Sequence, residues 1–190
     1  MKIIYENFIL ILWLMWGIYW WLAGRNVKAA VRRESPLSRA GHVVPLVLAA
    51  LLLALPTLPG GILCGQVFPM NEITYWIGVV VLVAGLVFSV WARIHIGRNW
   101  SGVVTLKQEH ELIHSGPYRL VRHPIYTGLL LGFIGMAIAR DEWRGWLAVL
   151  IAFVALWRKL RLEERWLTEQ FGETYRQYRD KVAALFPYLL

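Results

Sequence analysis

The chain has 190 residues, 58% of them hydrophobic and 17% charged, with 11 Trp and a formal net charge of +8. A soluble domain of this length carries about 45–50% apolar and about 25% charged residues, whereas here the apolar residues gather into long runs. These departures exclude a soluble globular domain, a disordered chain and a disulfide-rich secreted module. They leave an all-α polytopic membrane bundle. The basic excess then follows from topology, so nucleic acid is not an expected partner. Cys64 is the single cysteine, and no CxxC or Cys/His cluster suggests structural zinc.

A membrane span needs about 17–25 mostly apolar residues. In chain order the candidates are Ile3–Leu22, His42–Pro59, Ile73–Ala92, Ile125–Ala139 and Trp143–Trp157. The first is as long as a full span and no A-x-A cleavage pattern follows it, so it reads as a retained helix. The last two are short and separated by Arg140-Asp141-Glu142, which favours a tight helical hairpin over a re-entrant unit. Gly128, Gly132 and Gly135 recur at helical intervals on the fourth span, as they do where membrane helices approach closely. The whole chain, 1–190, reads as a single membrane domain without internal repeats.

Charge sets the expected orientation. The loop after the first span, the segment after the third and the C-terminal tail together carry seventeen of the twenty Lys and Arg residues. Lys2, Arg140 and Arg144 face the other side. By the positive-inside rule the N-terminus lies outside and the C-terminus in the cytoplasm, with five spans between them. The chain is then an integral membrane protein, of the inner or cell membrane in a prokaryote. Trp residues such as Trp20, Trp21, Trp76, Trp91 and Trp100 fall near span ends, as interfacial anchors do. The polar mass is cytoplasmic, in Arg93–Pro124 and from Arg158 onward, and chemistry is expected there.

Within the first piece, His110-Glu111-Leu112-Ile113-His114 is formally H-E-x-x-H, the zinc-protease pattern. That chemistry needs both histidines on one helical face, and Gly116-Pro117 follows too soon for the helix to continue. No metal is therefore expected. A second pattern, Arg122-His123-Pro124-x-Tyr126-x-Gly128, places Pro124 at the first helical position with His123 beside the N-cap. The free amides of such a helix start suit an anionic group, and Tyr126 suits a heterocycle or a cation.

In the second piece, steps of three or four residues give Leu156, Leu160, Glu163, Leu167, Phe171, Tyr175, Tyr178, Val182 and Leu185. Glu163 is the one carboxylate on this stripe, and an ionisable residue at a membrane boundary is a functional candidate by default. The plainer alternative is a helical ion pair with Lys159, worth only about 0.2–0.5 kcal/mol. For Glu164 the two readings balance.

Taken together, these residues resemble the isoprenylcysteine carboxyl methyltransferase family, membrane enzymes that use S-adenosylmethionine. The match runs through His110-x-Leu112-Ile113-x-x-Gly116-x-Tyr118, then Arg122-His123-Pro124-x-Tyr126-x-Gly128, then Glu163-Glu164-x-x-Leu167, Phe171-Gly172, Tyr175-x-x-Tyr178 and Pro187. The resemblance covers roughly the C-terminal half. It implies a methyl-donor pocket built from 105–128 and 158–187. His110, Glu111, Leu112, Ile113, Tyr118, His123, Pro124, Ile125 and Tyr126 would line the pocket, and Glu163 would close it.

Family members usually carry Arg four residues before this Glu, near the substrate carboxylate. Here Lys159 holds that position with Arg158 adjacent, and both are candidates for orienting the acceptor. Thr105 stands where a Gln is often found. The implied acceptor is a lipophilic or prenylated carboxylate reached from the bilayer lipid. Phospholipid N-methylation remains an alternative, as does the related branch of NADPH-dependent sterol reductases that shares His-x-x-Tyr-x-Gly. Those reductases typically carry Asn where Pro124 stands. Oligomeric state and the acceptor's identity are not set by the sequence.

Overall fold

The apolar runs fold as five long helices in a computed structural model that describes residues 2–25, 27–28, 30–55, 61–68, 71–102, 104–107 and 112–187. Helix α1 (Lys2–Ala23) turns Leu10, Ile11, Leu14, Met15 and Ile18 outward. On its inner side Trp13 meets Phe133 edge-on, and the Trp16 indole N–H donates to Ser89 Oγ at 2.8 Å.

A two-stranded antiparallel ribbon follows, which the all-helical reading missed. Strand β1 (Ala30–Arg33) pairs with β2 (Thr105–Lys107), setting Arg33 opposite Thr105. It joins the loop after the first helix to the loop after the third.

Helix α2 runs from Pro36 to Ala54, starting six residues before the expected span. Its start has the ordinary chemistry of a helix N-terminus: Ser35 Oγ accepts from Ser38 N–H, and Pro36 occupies the first turn where its missing N–H costs nothing. The end expected at Pro59 falls outside the described residues, and the helix itself closes at Ala54. Helix α3 (Glu72–Ile96) is capped by Asn71 and stopped at Gly97, whose φ of 56° favours glycine.

Helices α4 (Pro124–Arg140) and α5 (Trp143–Phe171) form the expected hairpin, turning on Asp141 in the left-handed region. Helix α5 continues 14 residues past Trp157 because nothing breaks it before Gly172. At about 1.5 Å per residue its 29 residues outrun the bilayer's roughly 30 Å hydrocarbon core. The short helix α6 (Glu173–Lys181) follows, and the chain then turns back. The stripe projected through to Leu185 is therefore not one helix.

The glycines decide how α3 meets α4. A Cβ on Gly85 would stand 2.5 Å from Gly128 O, and one on Gly135 would stand 2.3 Å from Leu82 N. Only backbone lying on backbone leaves so little room. Two apolar cores flank this seam. One joins α2, α4 and α5 through Leu53, Leu130, Phe133, Leu156 and Leu160, and the other joins α1, α3 and α4 through Ile9, Val79, Leu82, Leu86 and Ala139.

Among the described residues, Pro36–Ala54 and the stretch Glu72–Asn99 are long and apolar enough to cross a membrane by length and composition. Asn7–Ala23 and Pro124–Arg140 are shorter apolar helices. Exposed Val44, Val47, Leu48, Ile77, Val80 and Val87 cover the outer faces of α2 and α3.

Candidate active site

The start of α4 is fixed from three directions. Before it, a tight turn over Gly116–Arg119 buries Tyr118, which stacks on His95 at a 6.4 Å centroid distance. A side chain on Gly116 would strike the His95 ring, and its φ of 58° also calls for glycine. From the far end of the chain, Ala183 O and Ala184 O accept from the backbone N–H groups of Arg122 and His123 at 2.8 and 3.0 Å. Thr127 Oγ1 donates to Leu185 O at 2.7 Å. The last described residues thus strap the helix start in place.

His123 is the N-cap, as the Pro124 position predicts. Its ring lies between two carboxylates of α5: Nε2 is 3.2 Å from Glu164 Oε1, and Nδ1 is 3.6 Å from Glu163 Oε2. Tyr126 stacks on that ring within 3° of parallel and donates its hydroxyl to Glu163 Oε1 at 2.5 Å. Arg122 grips Glu164 through Nε and Nη2, both at 2.7 Å, and also donates to the carbonyls of Arg179 and Val182.

Burial alone would raise the Glu164 carboxyl. Hydrogen bonds and charge from His123 and Arg122 outweigh it and hold Glu164 at about 2, ionised throughout the physiological range. Burial, with Glu163 adding to it, pushes the Tyr118 hydroxyl well above its ordinary value, so it stays a neutral donor.

Tyr118, Arg122, His123, Tyr126 and Glu163 face one cleft, whose walls also include Ile96, Asn99, Trp100, Val104, Thr105, Ile125 and Trp166, while Glu164 stands behind His123. Of the candidate donor residues, Tyr118, His123, Pro124, Ile125, Tyr126 and Glu163 line this cleft. Leu112 and Ile113 are half-buried in a segment without regular secondary structure and are not among the described wall residues. His110 and Glu111 lie outside the described residues. Residues 112–114 are not helical, and His114 Nδ1 sits 3.2 Å from Leu112 O, unlike the continuous helix an H-E-x-x-H site requires.

The two candidate cations part company. Lys159 is 8% exposed, donates to Gly102 O at 3.1 Å and sits 5.3 Å from the Tyr126 ring centroid. It makes no ion pair with Glu163 among the described contacts. Arg158 turns instead to α2, donating to Ser38 O at 2.9 Å and lying 3.5 Å from His42 Nδ1. Gly41 leaves the space its guanidinium occupies.

Sequence reasoning missed Glu34 and His42, both 1% exposed at the side chain and 3.4 Å apart. Glu34 accepts from Ser38 Oγ and Val104 N–H, while its own backbone N–H donates to Val104 O. A buried carboxylate from the loop between α1 and α2 thus pins a wall of the cleft. The only available signal was an acidic residue just before a Ser-Pro helix start, which specifies no role.

A family model for phospholipid methyltransferases matches residues 73–174, more than half of the chain and every residue of the cluster around His123. The chain belongs to that family. It is 31% identical over 125 residues to a probable protein-S-isoprenylcysteine O-methyltransferase of Oryza sativa subsp. indica, covering 60% of this chain and 64% of that protein. It is 29% identical over 116 residues to the cobalt-zinc-cadmium resistance protein CzcN of Cupriavidus metallidurans, covering 60% of this chain and 52% of the relative.

Among solved structures, a eukaryotic intramembrane isoprenylcysteine carboxyl methyltransferase matches with a TM-score of 0.58. That match has 22% identity and covers 84% of this chain and 55% of the other. The helical fold is therefore shared, and the resemblance read from the motifs recurs in the sequence match to the rice protein. The chain spans a little under two thirds of the rice relative's length.

Proposed function

We propose that this protein is a membrane methyltransferase that moves a methyl group from S-adenosylmethionine to the carboxylate of a lipophilic, isoprenylcysteine-like acceptor. The observation that carries the reading is the meeting of His123, Tyr126 and Glu163 in one buried cleft at the start of α4. The residues present suit the donor. Glu163 Oε2 is not used by Tyr126, and Asn99 Oδ1 and Thr105 Oγ1 are buried beside the cleft with no hydrogen-bond partner among the described residues. Acceptors of this kind match ribose hydroxyls and an amino group, and Trp100 and Tyr118 offer rings to a heterocycle.

When bound, the sulfonium supplies an electrophilic methyl group and leaves as a thioether. The acceptor carboxylate is ionised near neutral pH, so no side chain need remove a proton. The protein's work is alignment and exclusion of water. Lys159, beside the Tyr126 ring, is placed to orient the acceptor carboxylate, and Arg158 offers a second cation at the α2–α5 seam. Glu163 and His123 hold the donor. Tyr126 fixes the Glu163 carboxylate and walls the cleft. His110 and Glu111 complete this pocket in our reading, with Leu112 and Ile113 supporting it.

The site belongs to the cytoplasmic face, with five spans and the N-terminus outside, on the asymmetry of the basic residues. A prenylated protein tail fits the apolar approach from the bilayer. The phospholipid methyltransferase match favours a second reading, methylation of a headgroup amine, which would need a base to take the ammonium proton. Titration calorimetry of S-adenosylmethionine into detergent-purified protein tests the donor. Binding lost in His123→Ala and Glu163→Ala supports the reading, whereas no binding by the wild type, or equal binding by all three, overturns it.

A further inference from the structure

We propose that Glu164 is the positioning residue of the donor site, pinning the His123 proton on Nε2 so that Nδ1 and Glu163 form a paired acceptor for the bound donor. The inference rests on the donor reading above and adds a residue that touches neither donor nor acceptor.

An ionised carboxylate accepts hydrogen bonds and donates none. Glu164 Oε1 already takes both Arg122 contacts, so the 3.2 Å approach of His123 Nε2 requires that nitrogen to carry the hydrogen. Nδ1 then points at Glu163 Oε2, 3.6 Å away, which is too long for a direct hydrogen bond. The other Glu163 oxygen is occupied by the Tyr126 hydroxyl. In the neutral imidazole that we propose, Nδ1 and Glu163 Oε2 are two acceptor atoms facing each other across this gap, and one N–H or O–H donor on a ligand satisfies both. The chemical class that fits is an ammonium or a sugar hydroxyl.

Rotation of the ring would destroy this pair. Tyr126 stacks on one face of His123 without fixing which nitrogen lies where, because stacking is indifferent to a flip of the ring edge. Glu164 makes the choice, and it cannot move. Arg122 holds it, and Arg122 is itself tied to the carbonyls of Arg179 and Val182 and by its backbone to Ala183. Thr168 Oγ1 donates to the Glu164 carbonyl one turn on. The C-terminal strap and the tautomer of His123 are parts of one arrangement.

Removing Glu164 alone would leave the largely buried Arg122 guanidinium without its carboxylate, so the test uses the paired variant Glu164→Leu/Arg122→Met beside Glu164→Gln and the wild type. Imidazole 15N shifts, assigned to His123 by the signal missing in His123→Ala, report the tautomer in detergent without any ligand. Calorimetry with S-adenosylmethionine reports affinity. The expected result is an Nε2–H tautomer in the wild type and a mixed or Nδ1–H population in the paired variant. Donor affinity should fall about tenfold or more, with a thermal midpoint close to wild type.

A Gln oxygen can still accept from Nε2, so Glu164→Gln should retain part of the affinity. A wild-type ring protonated on both nitrogens, an unchanged tautomer, or unchanged affinity despite a changed tautomer overturns the proposal. If the wild type binds no S-adenosylmethionine, the donor reading fails, and the tautomer still decides whether Glu164 pins the ring.

Discussion

Gly128→Ala is the sharpest structural perturbation, because one methyl group there tests packing and site together. The new Cβ would stand 2.5 Å from Gly85 O and 2.7 Å from Ser89 N, where ordinary contact begins at 3.4 Å. Both obstacles are helix backbone, so α3 and α4 must part by roughly 1 Å at this level in a close-packed interior. Overpacking of this kind costs about 1–3 kcal/mol, against about 1 kcal/mol gained from helix propensity. Gly128 is also half a turn from Tyr126, whose hydroxyl reaches Glu163 on the neighbouring helix. A displacement near 1 Å in a catalytic constellation costs activity by up to about a hundredfold.

The control is Gly17→Ala on α1, where a Cβ meets nothing within 4 Å. Thermal unfolding followed by circular dichroism in detergent, with donor affinity measured on the same samples, should show Gly128→Ala lowered in both and Gly17→Ala unchanged or slightly raised. A Gly128→Ala protein with wild-type midpoint and affinity would refute the close α3–α4 seam as the site's support.

Acid should act through Glu164. Its folded value of about 2 against an ordinary 4.5 contributes of the order of 3 kcal/mol, present above pH 4.5 and lost as pH falls toward 2. Unfolding midpoints measured between pH 2 and pH 7 should therefore drop with acid in the wild type, and this component should vanish in Glu164→Gln. Lys159→Met should raise the acceptor KM at least about tenfold while leaving donor affinity within twofold, and a loss confined to donor binding would contradict its assigned role. Gly41→Ala places a Cβ 2.8 Å from the Arg158 guanidinium carbon, the movable end of a flexible chain. It should therefore preserve or raise the thermal midpoint, and a raised acceptor KM would show that Arg158's position matters.

Much of the scaffold was legible because its signals are local. Proline at position 124 after a histidine marks a helix start by its fixed φ, and the charged break at 140–142 marks a turn between apolar runs. The start of α2 was also written in Ser35-Pro36, but a hydropathy window passes over the polar first turn and begins at His42. The ribbon of Ala30–Arg33 with Thr105–Lys107 joins segments some 75 residues apart, and pairing at that distance leaves no periodicity in either short strand.

In the site, helical stepping selects Glu163 and passes over Glu164, since neighbours on a helix differ by about 100°. What buries Glu164 is Arg122, 42 residues away, held by the returning C-terminal segment. Glu34 and His42 escape for the same reason. Glu34 stands in a polar stretch and His42 at the head of an apolar one, and neither shows a partner until α5 and the loop at Val104 close over them.

The central claim is methyl transfer to a carboxylate, and one measurement reaches it directly. Purified protein in proteoliposomes is given S-adenosylmethionine labelled in the methyl group, with a farnesylated cysteine whose amino group is blocked, or with phosphatidylethanolamine. The account predicts label on the prenylated cysteine as an ester that mild base releases as methanol, abolished in Glu163→Ala. No transfer to the cysteine, or base-stable label on the phosphatidylethanolamine nitrogen alone, would contradict it.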